Sequence, residues 1–403
     1  MQMTETVKTS TQRITVIDAM RGIALIGICL THAMQYFGAF PPAPIETPFP
    51  WIGTLDEMFS WLIRYLVFAK FYIIFSFLFG LSFFIQMDRA AQKGIDFRPR
   101  FLWRLTLLLI IGYLHSLIFH MDILIIYAIV GFPLVLLYKV PNKVLVGLAL
   151  FFLLGGVSLG VNLYKAATEP PRTEIVAQNR PRPAVDRPRP DLSLTATIQN
   201  NSADRLARKF NFQHNSGRIY MTLGLFILGL WAGRIRLFHN LEQYRTRLYR
   251  YAGIGLAALL LLYAIQPYLP GRDAGVLAGW LAMPVENMIN LLSAYLWITL
   301  IVFLYKKPQV EKTLAPVVSY GRMGLTNYIL QSVIGVFLYY RFGLGLNQYL
   351  GPFLGMMLCL GYTFIQIYLS HYWLKTFRYG PLEWLWRSGT YMKWQPLRKL
   401  ALQ

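Results

Sequence analysis

The sequence predicts an all-α, polytopic integral membrane protein, and three observations support this prediction. Of the 403 residues, 56% are hydrophobic and only 14% are charged, whereas about a quarter of the residues in a typical soluble domain are charged. Apolar runs long enough to cross ~30 Å of hydrocarbon recur along almost the whole chain. The net charge is +21. In a membrane protein such an excess of lysine and arginine indicates loops that face the cytosol and its anionic lipids, and it does not require binding of nucleic acid. Cys29 and Cys359 both lie within apolar runs, which excludes a disulfide framework.

About ten apolar runs account for the membrane-spanning part of the chain. The first carries Asp18 and Arg21 at its start and lacks a small-residue cleavage site, so it is a membrane span and not a cleaved signal peptide. The two longest runs, 58–86 and 276–305, are expected to tilt, to lie along the interface or to re-enter. The runs cover residues 15–38, 58–86, 102–119, 123–139, 144–164, 216–233, 251–269, 276–305, 314–340 and 352–374.

The positive charges predict the orientation of these spans. With the N-terminus in the cytosol, the inside segments hold most of the 39 lysines and arginines, and the short outside loops hold only Arg272 and Arg341. This asymmetry predicts about ten helices with both chain ends inside. We divide the chain into N-terminal membrane helices at 1–164, a long extracytoplasmic loop at 165–215 and C-terminal membrane helices at 216–403.

The long loop at 165–215 is polar and repeats Arg-Pro in its first half. That half is expected to be extended and polyproline-like. The second half is expected to form an interfacial helix. Two interpretations of the loop stay open: a solvated spacer, or a lid that recruits an acceptor molecule.

Ionisable side chains at membrane depth are costly and are therefore candidates for function. Asp18 and Arg21 lie three residues apart on one helical face, which predicts an ion pair. Arg104 and His115 are eleven residues apart, so they share a face and lie ~16 Å apart along the helix axis. His115 precedes Asp122 across a short turn. Asp122 is expected either to orient the imidazole or to cap the next helix.

Other polar residues lie in the same part of the predicted membrane region. His32 follows Asp18 by fourteen residues on nearly the same helical face. Asn327 and Gln331 share one face of the ninth span, where they either support a reacting group or join helix to helix by hydrogen bonds. The chain has no phosphate-binding loop, dinucleotide fingerprint, zinc-protease motif or CxxC, and no histidine spacing supports a metal site.

Ordered motifs give the chain a family resemblance. Residues 13–32, 78–80 and 104–131 resemble the YeiB-like bacterial membrane proteins, and residues 321–332 and 380–387 resemble that family's C-terminal domain of unknown function. The resemblance covers essentially the whole chain outside the Arg-Pro loop. It implies a multi-pass protein of the bacterial cytoplasmic (inner) membrane.

The chain is also similar to transmembrane acyltransferases of the acyltransferase-3 type and to the heparan glucosaminide N-acetyltransferase group. The former open with Asp-x-x-Arg-Gly and a later histidine, matched by Asp18, Arg21 and His32, although YeiB relatives often carry asparagine at the position of His32. They continue with Arg-x10-His, matched by Arg104 and His115. The resemblance implies transfer of an acyl group, such as acetyl, from cytosolic acyl-CoA to an extracytoplasmic glycan or glycolipid.

On this hypothesis arginines bind the CoA phosphates, a histidine is the general base, and polar side chains donate to the thioester oxyanion. The alternatives are a proton-coupled transporter or lipid flippase, with the histidines and Asp122 as a proton relay, or a membrane scaffold. Membrane lipids are the expected surroundings, and a homodimer is left open. The assigned residues are His115, Asp122 and His32 for catalysis, Arg21, Arg104, Arg98, Arg100 and Arg234 for CoA, and Asn327, Gln331 and Tyr328 for polar support.

Overall fold

The computed structural model describes residues 14–35, 51–168, 190–269 and 276–399. Within these ranges the chain forms helices and an isolated β-bridge between Phe377 and Arg398, and no β-sheet. The all-α prediction is confirmed. In chain order the helices are α1 (Thr15–Gln35), α2 (Trp51–Leu62), α3 (Lys70–Ala91), α4 (Arg98–Ile118), α5 (Leu124–Leu136), α6 (Asn142–Leu153), α7 (Gly156–Thr168), α8 (Leu194–Asn200), α9 (Ala203–Asn215), α10 (Arg218–Arg234), α11 (Leu241–Ile265), α12 (Val276–Tyr305), α13 (Pro308–Thr313), α14 (Ala315–Arg322), α15 (Gly324–Tyr339), α16 (Pro352–Thr376) and α17 (Pro381–Tyr391).

Several helices have the length and apolar composition of membrane spans. In the described part of the chain, six segments are long enough to cross a bilayer: Thr15–Met34, Ile52–Ala91, Arg98–Ile118, Leu241–Tyr268, Ala282–Tyr305 and Pro352–Thr376. Three shorter apolar helices accompany them, at Leu124–Lys139, Asn142–Leu153 and Gly324–Tyr339. The structure therefore has the architecture of a polytopic membrane protein.

Three runs that the sequence predicted as single spans are interrupted. The second run contains a π-helical turn at Ile63–Val67, followed by Ala69 with φ of 66° before α3 begins. The fifth run breaks at Gly155, whose φ of 82° is unfavourable for residues with a side chain. The ninth run breaks at Met323, between α14 and α15. By contrast, α12 continues as one helix through Pro284.

The second half of the long loop is helical, as predicted, and forms α8 and α9. Ser193 caps α8 by accepting the N–H of Ala196 at 3.3 Å. Asn201, between the two helices, donates to the carbonyl oxygen of Leu117 at the end of α4, at 3.0 Å. This part of the loop is therefore attached to the helical bundle. The Arg-Pro repeat, for which a polyproline conformation is predicted, lies outside the described residues.

Glycines allow two close helix crossings. At the α1–α14 crossing, a methyl group on Gly22 would lie 2.3 Å from the carbonyl oxygen of Val317, and one on Gly321 would lie 2.0 Å from that of Asp18. The α3–α10 crossing depends on Gly80 in the same way. Small residues let helix backbones approach within a membrane. Gly22, Gly80 and Gly321 lie in the motif stretches 13–32, 78–80 and 321–332, and helix packing explains why glycine is needed at each.

Helix α1 is central because it packs against α3, α14 and α16. On its α16 side, the Sγ atom of Cys29 lies 2.9 Å from that of Cys359, and both residues are buried free thiols. The hydroxyl of Tyr362 lies 3.0 Å from the Cys29 sulfur. The two cysteines, 330 positions apart, thus meet at one helix contact.

Candidate functional site

The described part of the chain encloses two neighbouring cavities with a common wall. The larger, of about 280 Å³, is lined by Arg21, Arg104 and Arg322 among apolar side chains, and we call it the arginine cavity. The smaller, of about 70 Å³, is lined by His32 and Asp122, and we call it the histidine cavity. The side chains that line both are Ile28, Ile123, Tyr127 and Tyr328.

A histidine and an aspartate pair beside these cavities. His115 lies in the last turn of α4, and Asp122 lies just before α5. The Nδ1 atom of His115 is 2.8 Å from Oδ1 of Asp122, and the second carboxylate oxygen accepts the N–H of Ile125 at 3.1 Å. Both interpretations of Asp122 are therefore correct: it orients the imidazole and it caps the next helix.

The hydrogen bond to Asp122 determines which ring nitrogen of His115 carries the proton. Neutral His115 donates its Nδ1–H to the carboxylate, which leaves a lone pair on Nε2. That Nε2 atom is buried and makes no hydrogen bond to any described residue. Neutral His115 therefore has its free lone pair on Nε2, which is the form of imidazole that a general base needs.

Tyr328 links the two histidines and the two cavities. The centroid of its ring lies 5.4 Å from that of His115 and 6.1 Å from that of His32, both edge-on. The Tyr328 hydroxyl accepts the N–H of Ile123 at 3.1 Å. His115 itself lines neither cavity, whereas Asp122 and Tyr328, which contact it, do. His115 thus lies immediately behind the cavity walls.

Lys209 of α9 brings a cation to Asp122, and the sequence analysis assigned it no role. Its Nζ atom lies 3.9 Å from Oδ2 of Asp122 and is buried without a hydrogen bond to the described residues. Burial alone would raise the pKa of Asp122, but Lys209 together with the hydrogen bonds from His115 and Ile125 holds it below its ordinary value. Burial also lowers the pKa of Lys209. The carboxylate is therefore ionised at neutral pH.

Two of the predicted CoA-binding arginines line the arginine cavity. Arg21 pairs with Asp18 at 2.5 Å, as predicted, and donates to Ser82 at 2.6 Å. Arg104 places its guanidinium 3.6 Å above the ring of Trp386, whose Nε1 donates to the Arg104 carbonyl at 2.9 Å. The Arg104 guanidinium makes no hydrogen bond or ion pair with the residues described, so its donors are available to an anion.

The motif at 380–387 positions this wall of the arginine cavity. Pro381 begins α17, where proline is favourable because its missing N–H needs no partner. Glu383 accepts the N–H groups of Leu325 and Thr326 at 2.6 and 3.0 Å and so caps α15. Burial raises the pKa of Glu383, although these hydrogen bonds lower it. The sequence analysis recognised this motif as a resemblance and assigned it no role in the site.

The three other predicted CoA-binding arginines do not line the arginine cavity. Arg98 pairs with the exposed carboxylate of Asp96 at 2.8 Å, and Arg100 lies over the ring of Tyr391 at 5.0 Å. Arg234 donates to backbone carbonyls that follow α5. All three arginines lie at helix ends. There Arg98 contacts a carboxylate, Arg100 an aromatic ring and Arg234 backbone carbonyl groups, instead of the cavity.

Asn327 and Gln331 do not line either cavity. The Nδ2 atom of Asn327 donates to the carbonyl of Tyr320 at 3.0 Å and to Oγ of Ser370 at 2.9 Å. Gln331 accepts from the Tyr320 hydroxyl at 3.2 Å. These residues join α15 to α14 and α16. Of the two predicted roles, the structure thus shows the one in which they connect helices by hydrogen bonds. Of the predicted polar support, only Tyr328 lies at the site.

The fold and the site together define a class of protein: an all-α membrane bundle with a buried histidine–aspartate pair beside two cavities. Comparison with known proteins shows what the chain is similar to. The family described as "Protein of unknown function (DUF418)" matches residues 232–393, a range that includes Glu383 and Trp386.

Similarity to individual proteins extends over almost the whole chain. It is 29% identical over 413 residues to "Uncharacterized protein YxaH" of Bacillus subtilis, covering 96% of each protein. It is 28% identical over 402 residues to "Uncharacterized protein YeiB" of Escherichia coli, covering 94% of this chain and 96% of the relative. No solved structure matches it. The chain is therefore similar to YeiB and YxaH over almost its whole length, and its C-terminal part matches the domain of unknown function that its motifs resemble.

Proposed function

We propose that this protein is a transmembrane acyltransferase that moves an acyl group, acetyl in the simplest case, from cytosolic acyl-CoA to an extracytoplasmic acceptor. The observation that carries the proposal is the buried pair of His115 and Asp122, with Nε2 of the imidazole available, beside two cavities that share one wall. Each cavity would hold one substrate, and the reaction would occur at the wall.

The proposal includes a topology of about ten spans with both ends in the cytosol of a bacterial inner membrane. The six long spans, the three shorter apolar helices and α10 would supply them. The excess of lysine and arginine in alternate connections supports this orientation. It would place the arginine cavity toward the cytosol and the histidine cavity toward the outside.

Acyl-CoA would be the substrate in the arginine cavity. Arg104 has guanidinium donors that no described residue occupies, and a planar guanidinium pairs bidentately with phosphate. Arg21 and Arg322 line the same cavity, and its other walls are largely apolar. Arg104 and His115 lie on the same continuous helix, ~16 Å apart along its axis, a distance comparable with an extended pantetheine arm.

The reaction would join the two substrates at Tyr328. Nε2 of His115 would take the proton of an acceptor hydroxyl or amine, which then attacks the thioester carbonyl. The new bond to the acyl carbon forms, the C–S bond breaks, and the CoA thiolate recovers the proton from the imidazolium. Asp122 would stabilise that imidazolium, and His32 would contact the acceptor because it lines the histidine cavity. General base catalysis of this kind contributes about 10²–10⁴-fold to a rate.

The test is acyl-CoA turnover by the purified protein in lipid nanodiscs, followed with labelled acetyl-CoA. We expect binding of acetyl-CoA and thioester cleavage that an added acceptor accelerates. A proton-coupled transporter, a flippase and a scaffold predict neither. Absence of both binding and cleavage, together with proton-driven movement of a solute or lipid, would replace the acyltransferase by the transporter.

A further inference from the structure

The histidine cavity obtains part of its wall from the long loop and from the start of α10. Gln213 of α9 and Arg218 of α10 line it, opposite Thr31 and His32 of α1. Lys209 lies four residues before Gln213 and therefore on the same face of α9. The loop thus contributes side chains directly to the cavity, which is more than a spacer would do.

The cavity lining contains one arginine, Arg218, and one aspartate, Asp122, and Lys209 lies just outside it, beside Asp122. The Arg218 guanidinium lies 5.6 Å from the ring centroid of Tyr72 and makes no hydrogen bond or ion pair with the described residues. The buried Nζ of Lys209 has three N–H donors and no hydrogen-bond acceptor in the described structure. Asp122 is the carboxylate of the cavity lining, and its two oxygens already accept from His115 and Ile125.

We propose that the histidine cavity binds an acceptor whose reactive hydroxyl lies next to a phosphate, and that Arg218 holds this phosphate. This inference rests on the proposed acyl transfer and names the class of its acceptor. A neutral sugar would leave the Arg218 guanidinium without an anionic partner, whereas a phosphate supplies acceptor oxygens that a guanidinium binds bidentately. Lys209 already pairs with Asp122 at 3.9 Å and so offsets the charge of that carboxylate. The hydroxyl beside the phosphate would then lie toward His32 and Asp122.

The small volume of the cavity, about 70 Å³, suits the end of a polyol phosphate better than an oligosaccharide. Two sources share this chemistry: the headgroup of a glycerophospholipid and a soluble polyol phosphate. Gln213, an uncharged residue with both donor and acceptor groups, is available to a second hydroxyl of the polyol.

The test measures binding of labelled sn-glycerol 3-phosphate to the full-length protein in phosphatidylcholine nanodiscs without acyl-CoA, with glycerol as the uncharged probe. Because hydrogen bonds to charged groups contribute about 1.5–3 kcal/mol, Arg218→Gln should weaken binding of the phosphate probe at least about tenfold. Arg218→Lys should retain more of the affinity than Arg218→Gln, which separates loss of charge from misfolding. The matched control is Arg208→Gln, since Arg208 is an exposed cation on α9 outside the cavity lining.

The results separate the possible outcomes. Equal binding of glycerol and glycerol 3-phosphate, or an equal loss in Arg208→Gln, would overturn the inference. Acetyl transfer to added glycerol 3-phosphate, or to phosphatidylglycerol included in a second set of nanodiscs, then identifies the source. Because the binding measurement contains no acyl-CoA, phosphate binding without any thioester cleavage would reject the proposed acyltransferase while leaving the anion site intact.

Discussion

Asp122 uses its two carboxylate oxygens for two different contacts. One lies 2.8 Å from Nδ1 of His115, and the other accepts the N–H of Ile125 in the first turn of α5 at 3.1 Å. The residue that determines the imidazole tautomer is therefore also the residue that shapes the turn between α4 and α5. Any change that moves this turn also moves the proposed base, because both depend on the same carboxylate.

On the proposed function, His115→Ala should lower acyl transfer by about 10²–10⁴-fold, because the reaction would lose its general base. The affinity for acyl-CoA should stay within twofold of wild type, since His115 does not line the arginine cavity. The measurements are the initial rate with labelled acetyl-CoA and the Kd of acetyl-CoA. His214→Ala is the control, because His214 is exposed on α9 and its ring contacts Tyr220 of α10. Full activity of His115→Ala at normal abundance would remove His115 from the mechanism.

The stability that Asp122 contributes should disappear in acid. Its pKa lies below the ordinary value of about 3.8 because Lys209, His115 and the Ile125 N–H outweigh the effect of burial. A carboxylate with a lowered pKa contributes stability that is complete above its ordinary pKa and is lost as the pH falls through the value in the folded protein. The Tm difference between wild type and Asp122→Asn should therefore be constant at neutral pH and shrink below about pH 4. A difference that grows in acid would contradict the pairing.

On the proposed function, Arg104→Ala should weaken acetyl-CoA binding by at least about tenfold, because a CoA phosphate would lose a charged hydrogen-bond donor. Arg104→Lys should restore little of the affinity, since an ammonium neither pairs bidentately nor stacks on Trp386 as the guanidinium does. The Kd of acetyl-CoA measures both. Arg98→Ala serves as the control, because Arg98 pairs with Asp96 at the surface. Unchanged affinity in Arg104→Ala would exclude Arg104 from the donor site.

Gly22→Ala should destabilise the protein by about 1–3 kcal/mol, in the range of an overpacked core. Its new methyl group would lie 2.3 Å from the carbonyl oxygen of Val317, so α1 and α14 would have to separate. Gly147→Ala is the control, because nothing lies within 4 Å of a methyl group at that position. Thermal unfolding in detergent measures the two, and equal Tm values would show that the crossing tolerates a side chain.

Local patterns were sufficient to predict the pairs that are close in the chain. The Asp18–Arg21 ion pair follows from one helical turn, and the contact of His115 with Asp122 follows from a short turn between two helices. The helical second half of the loop follows from its own sequence.

Contacts between distant segments could not be predicted in this way. Trp386 meets Arg104 across 282 positions, and this contact depends on how α17 packs against α4. Lys209 reaches Asp122 because of where α9 packs, which no periodicity encodes. For the same reason Asn327 and Gln331, which share a predicted polar face, turned toward α14 and α16: a helical face does not tell which neighbour it meets.

The wall shared by the two cavities has a bioenergetic consequence. Two aliphatic and two phenolic side chains, Ile28, Ile123, Tyr127 and Tyr328, line both spaces. A continuous hydrated pore at this place would let protons cross the membrane and would dissipate the proton-motive force. On the proposed function, this wall would let only the acyl group pass from one side to the other, so the cell envelope would be modified from a cytosolic metabolite while the membrane stays impermeable to protons.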